Sequence, residues 1–206
     1  MYNEYSFGLP TIHETLPAIM KKTTIIITIL TALLFGCSDK NDQVEIKDTF
    51  NNGQPKLTVY KTLDAKGTYY EIEYDSLGRI KEITPYSEGQ LNGTKIYFRN
   101  NLEVDALLPH KDGKREGFTY EFYEAQQTAF KGKSENGEFN GTSTWYHKNG
   151  TPEDTGNRTN GKKEGKWREF FENGQLKSTG TFTNGAKNED WIYYNVDGTV
   201  DSTKVK

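Results

Sequence analysis

The chain has 206 residues, 26 of them Lys or Arg and 29 Asp or Glu, for a formal net charge of −3 at pH 7. That balance offers no basic footprint for nucleic acid, and one cysteine excludes an intramolecular disulfide. Hydrophobic residues are 33% of the chain and aromatics 13%, so aliphatics are too few for a thick core and stability has to be summed along neighbouring elements.

Residues 1–19 carry no periodic pattern. Met20 makes a better start, since Lys21-Lys22 follows and then the apolar run Thr23–Gly36. The run is too short to span a bilayer and suits the core of a signal helix, so residues 1–36 are expected to be an N-terminal extension and a lipoprotein signal peptide that starts at Met20. It ends in Leu34-Phe35-Gly36-Cys37, which resembles the lipobox of bacterial lipoproteins; Phe35 departs from the small or medium residue usual at its place. The resemblance implies that Cys37 is lipidated and becomes the first mature residue. A lone thiol just after an export signal makes sense as an attachment point, and each buried CH₂ of an acyl chain contributes about 0.8 kcal/mol. Residues 37–43 then form a polar tether, with Ser38-Asp39 first. Ser38 directly after the cysteine resembles the signal for sorting to the outer rather than the inner membrane. A Ser-Asp start also resembles surface-export signals of Bacteroidetes lipoproteins. Deleting residues 1–37 removes Lys21, Lys22, Glu4 and Glu14, so the charge of the remainder stays at −3.

From residue 44 to 206 the sequence is strand-like and periodic. Turn glycines fall at Gly89, Gly113, Gly137, Gly161 and Gly185, a constant 24 residues apart. A second set runs in phase at Gly93, Gly117, Gly141 and Gly165, with Glu189 in the fifth place. An aromatic follows at Phe98, Phe122, Tyr146, Phe170 and Tyr194, and Tyr74 extends the series backwards. A mid-unit glycine recurs at Gly78, Gly150, Gly174 and Gly198 and is replaced at Leu102 and Gln126. Asn-Gly and Asp-Gly between alternating segments signal hairpins, and no spacing of three and four supports a helix. The expectation is all-β: 24-residue hairpin units, regular over about residues 70–198, making a twisted antiparallel meander. Residues 44–65, with Asn52-Gly53-Gln54, read as a degenerate first unit or cap.

Side chains alternate between the two faces of a strand. The recurring slot of Phe98, Phe122, Tyr146, Phe170 and Tyr194, with Ile96, Tyr120 and Ile192, is the expected core face. The opposite face carries Trp145, His147, Trp167, Phe171, Trp191 and Tyr193. Tryptophan and tyrosine dominate protein interfaces, so this is the candidate binding face; cross-strand pairing that merely holds the sheet is the alternative. Gly132, Gly156 and Gly180 recur on the return strands, and aromatics covering strand glycines are a stabilising device. His110 and His147 lie in different units. No nucleophile–base pair, metal-ligand spacing or phosphate loop is present, so neither catalytic residues, nor a metal, nor a cofactor is expected.

The stretch Gly161 to Lys177, GKKEGKWREFFENGQLK, closely resembles the bacterial MORN-variant repeat, and residues 136–150 and 184–198 are weaker copies. Strings of such repeats resemble the YwqK-type antitoxin family. The resemblance implies a hairpin array without catalytic residues, used for binding. The expectation is a non-enzymatic membrane-anchored lipoprotein whose array binds an unidentified protein, with a toxin as the antitoxin-like version. A structural envelope protein contacting lipid headgroups or cell-wall glycan is the alternative.

Overall fold

The turn residues set the fold. In a computed structural model that describes residues 43–62 and 65–202, Asn136 and Gly137 both have positive φ, at 54° and 99°, and so do the pairs 112–113, 160–161 and 184–185. Two consecutive positive φ values make a type I′ turn, whose twist matches that of the strands it joins. Glu88-Gly89 adopts the same turn although glutamate has no special tolerance for it. The expected export signal, Cys37 and the tether up to residue 42 lie outside the described residues.

The strands are β1 (Gln43–Thr49), β2 (Pro55–Lys61), β3 (Tyr69–Tyr74), β4 (Ile80–Ser87), β5 (Gln90–Leu91), β6 (Gly93–Phe98), β7 (Val104–Lys111), β8 (Lys114–Arg115), β9 (Gly117–Phe122), β10 (Thr128–Glu135), β11 (Glu138–Tyr146), β12 (Pro152–Thr159), β13 (Lys162–Phe170), β14 (Leu176–Thr183), β15 (Ala186–Lys187) and β16 (Ile192–Tyr193). They form one open sheet of 16 strands in meander order, with every pairing antiparallel. Among the described residues no second layer exists; Glu124–Gln126 forms a turn in which Ala125 and Gln126 both have φ of 60°. The short segments are breaks within longer strands. Asn92 donates its N–H to the Pro85 carbonyl at 3.1 Å and Glu116 to Pro109 at 2.9 Å, just before Gly93 and Gly117 at φ 121° and 108°. These are bulges repeated in phase. The cap expected at residues 44–65 is the β1–β2 hairpin, closed by Phe50 N–H to Gln54 O at 2.9 Å.

Units are also tied to their neighbours. The turn amides of Gly113, Gly137, Gly161 and Gly185 donate to the carbonyls of Leu91, Arg115, Phe139 and Lys163, at 2.9–3.0 Å. Each link joins one I′ turn to the unit before it, so the 24-residue period is locked through the backbone.

The other turn set is less uniform. Gly78, Gly150, Gly174 and Gly198 sit at φ 77–86°, whereas Leu102 holds the same conformation at 64°. A left-handed conformation costs an L-residue about 1–2 kcal/mol, and the Leu102 side chain is 51% exposed, so little packing offsets it. Leu102→Gly is therefore expected to stabilise the sheet by about 1 kcal/mol, read as a higher urea midpoint; a lower midpoint refutes the turn assignment.

Candidate functional site

The register defines two faces. One row runs through Trp145, Asp154, Glu169 and Ser178 to Tyr193, and the row beside it through Gly132, Ser143, Gly156, Trp167 and Gly180. Alternation puts the whole expected binding face here, and it is called the tryptophan face below. The other face carries the row Thr58, Ile72, Ile83, Ile96, Leu107, Tyr120, Lys131, Thr144, Thr155, Arg168, Thr179, Ile192, and is called the isoleucine face.

Two of the three tryptophans of the expected site are buried. Trp167 is 1% and Trp191 4% exposed. The indole of Trp167 lies on Gly156 and that of Trp191 on Gly180, in the space a Cβ would occupy. Their Nε1–H groups donate to the carbonyls of Asn157 and Thr181, both at 3.1 Å. Phe182 meets both rings edge to face, at 5.9 Å and 5.4 Å between centroids. Lysines close the outer side. Lys163 Nζ stands 3.9 Å from the Trp167 centroid and 2.8 Å from Asp154 Oδ2. Lys187 Nζ stands 3.6 Å from the Trp191 centroid and 3.9 Å from Glu169. Glycine below, indole between and lysine above recur one unit apart.

This corrects the expected assignment of faces. The tryptophan face, expected to bind, carries the core of the C-terminal units. The aromatic slot expected to be core is half-buried at Phe98, Phe122, Tyr146, Phe170 and Tyr194, each ring directly opposite residue 104, 128, 152, 176 or 200 across its hairpin. Near the N-terminus both faces hold buried side chains: Ile72, Ile83 and the expected Ile96 on the isoleucine face, and Val59 and Thr84 on the other. The physical reason is the single layer. With nothing stacked above, a side chain is buried only by in-plane neighbours, and an indole laid flat on a glycine is covered best.

The other four residues of the expected site are half-buried. Trp145 packs on Phe130 at 4.6 Å between centroids. Tyr193 lies 6.4 Å from Trp191, beneath Lys187. Phe171 closes its hairpin with N–H to Gln175 O at 2.9 Å. His147 donates from Nε2 to the Phe170 carbonyl at 3.0 Å. One unit earlier, Tyr123 Oη donates to Tyr146 O at 2.9 Å, and before that Arg99 reaches the carbonyls of Phe122 and Tyr123. The slot of His147 is a clamp on the next unit. His147→Ala is expected to cost about 1 kcal/mol and to speed exchange of hairpin amides near Phe171; an unchanged exchange pattern rejects the clamp.

His110 Nδ1 bonds the Leu108 carbonyl at 2.8 Å, and burial pushes its pKa down. Burial raises the carboxyl of Glu121, and nearby Asp105 adds to the shift. Among the described residues, the side-chain hydrogen bond of His110 goes to a backbone carbonyl and not to a nucleophile or second base. No group of three or more His, Cys, Asp or Glu able to hold a metal occurs among the described residues. No helix there is long and apolar enough to cross a membrane.

One hairpin matches a known family. Residues 163–184 match the family model of the MORN repeat variant. The match takes in β13 from Lys163 onward, the turn from Phe171 to Gln175 and β14, ending at Asn184, and so includes Trp167 and its covering Lys163. The same phased turns and antiparallel pairings recur in the neighbouring hairpins. No curated protein matches the chain.

The arrangement also holds residues that sequence reasoning passed over. Lys163 and Lys187 are 24 residues apart, four before each tryptophan, so a search for repeated cations would have found them. Lys131, Lys166 and Arg168 gave no such signal, because their slots are not basic in the other units.

Proposed function

We propose that the protein is a non-enzymatic binding protein, held to a bacterial membrane by lipid on Cys37, whose MORN-type sheet engages another protein. The observation that carries the reading is the open sheet itself: both of its broad faces are formed by side chains of one layer. Such a sheet offers area for recognition, and its repeats add area without new chemistry. MORN repeats are commonly involved in protein or membrane binding and are generally non-enzymatic. The antitoxin-like version follows from the repeat resemblance, with a secreted or toxic protein neutralised at the outer membrane.

The test is mild crosslinking of the anchored chain in its native membranes, followed by identification of what is joined to it. One stoichiometric protein supports the reading, and a toxic one supports the antitoxin version. Recovery of lipid, glycan or the chain alone overturns it in favour of a structural envelope role. Labelling with a lipid precursor tests the anchor separately; a Cys37→Ser chain is expected to lose the label and leave the membrane fraction.

A further inference from the structure

Cations on both faces differ in how they are partnered: on the tryptophan face Arg158 has no ion pair among the described residues but lies over the Trp167 ring, and on the isoleucine face Lys133 pairs with Glu135. On the tryptophan face, Lys95, Lys163 and Lys187 each lie within 4 Å of a carboxylate, at 2.8, 2.8 and 3.9 Å. On the isoleucine face between β9 and β14, Lys131, Lys166 and Arg168 have no ion pair among the described residues. Lys131 and Arg168 share one row, separated by Thr144 and Thr155. Three strand spacings put them roughly 14 Å apart. Lys166 is the next residue on that face along β13.

The carboxylates at the rim are engaged or peripheral. Glu135 pairs with Lys133 at 2.5 Å, and Asp190 accepts from the amide and hydroxyl of Thr181 at 3.2 and 2.8 Å. Glu153 is the bulged residue at the start of β12. At the β9 end stands Phe118, 47% exposed, with Lys131 Nζ 4.9 Å from its ring centroid and 5.7 Å from that of Tyr120.

We propose that this part of the isoleucine face, from Phe118 across Lys131 to Lys166 and Arg168, is the docking surface for an acidic protein. The inference rests on the protein-binding reading and names the partner's chemistry and the face it meets. Unpaired cations on a flat field of threonines call for carboxylates from outside the chain. An aromatic at one end supplies the apolar anchor that binding surfaces use. A folded acidic protein fits better than nucleic acid, because the cations are few and the whole chain is at −3.

The test uses the detergent-solubilised full chain and fluorescent poly-L-glutamate, followed by anisotropy at low salt. Native protein is expected to bind, and Lys131→Glu with Arg168→Glu to weaken binding about tenfold. A control with Lys111→Glu and Lys114→Glu, near the Asp112 turn, is expected to bind as native. The proposal is overturned if native protein does not bind, if the control weakens binding equally, or if duplex DNA binds as tightly and is lost in the same variant. Circular dichroism confirms that each variant is folded. A partner crosslinked in native membranes whose binding ignores Lys131→Glu with Arg168→Glu overturns this surface while leaving the protein-binding reading in place.

Discussion

Trp167→Ala is expected to lower the stability of the array by about 3–5 kcal/mol, and Phe171→Ala by about 1 kcal/mol. Both residues belong to the face that the sequence marks out for binding. The difference comes from what surrounds them. Trp167 is 1% exposed, lies flat on Gly156, meets Phe182 edge to face, donates Nε1–H to Asn157 and carries Lys163 above it. Removing it strips the cover from a glycine backbone and takes the nearer of two rings from Lys163, which keeps Phe182 at 5.2 Å and the ion pair to Asp154. In-plane neighbours cannot collapse to fill the gap, because the hairpin registers on both sides fix the strand spacing. Phe171 is half-buried at the hairpin end and leaves only a partial gap. Urea unfolding monitored by far-ultraviolet circular dichroism checks the pair. Repeat arrays can lose cooperativity, so midpoints should be paired with amide exchange in the hairpins flanking β13. Equal losses for both substitutions refute the assignment of Trp167 as core.

The regular part of the fold was legible because each unit spends its most restrictive residues on the same two places. Glycine at the I′ turn and glycine at the bulge appear as fixed letters at a fixed period, and strand positions between them tolerate variation. Pairing order followed from short connections alone. The inner and outer faces were harder to read. An aromatic in every unit, at Phe98, Phe122, Tyr146, Phe170 and Tyr194, looks more like a core than tryptophans in only some units. Recurrence measures what each hairpin needs locally, which here is a ring opposite its hairpin partner, as with Phe170 and Leu176. Burial depends on where a neighbour is missing. Gly156 and Gly180 are those gaps, and the register was needed to see that Trp167 lies opposite the first and that Trp191 is the ring covering the second. The ion pairing that separates Lys163 from Arg168 is likewise a three-dimensional fact, since both are cations on the same strand five residues apart.

Gly156→Ala tests the same packing from the other side. Gly156 does not have positive φ, so its backbone accepts alanine, and in an ordinary strand the exchange would gain about 0.5–1 kcal/mol from reduced chain entropy. Here the new Cβ would stand inside the van der Waals envelope of the Trp167 ring at Cγ, Cδ2 and Cε2. The obstacle is the body of a buried indole rather than the tip of a flexible chain. Lifting the ring loosens its bond to Asn157 and its contact with Phe182, so a loss of about 1–3 kcal/mol is expected. The sign should change once the indole is gone. In a Trp167→Ala background the Cβ meets open space, and Gly156→Ala should become neutral or stabilising. The double-mutant cycle is then expected to return a coupling of about 1–3 kcal/mol between Gly156 and Trp167. Additive losses would mean that the glycine serves the backbone rather than the ring, and the glycine–indole–lysine stack would no longer explain why the tryptophans are buried in a sheet one layer thick.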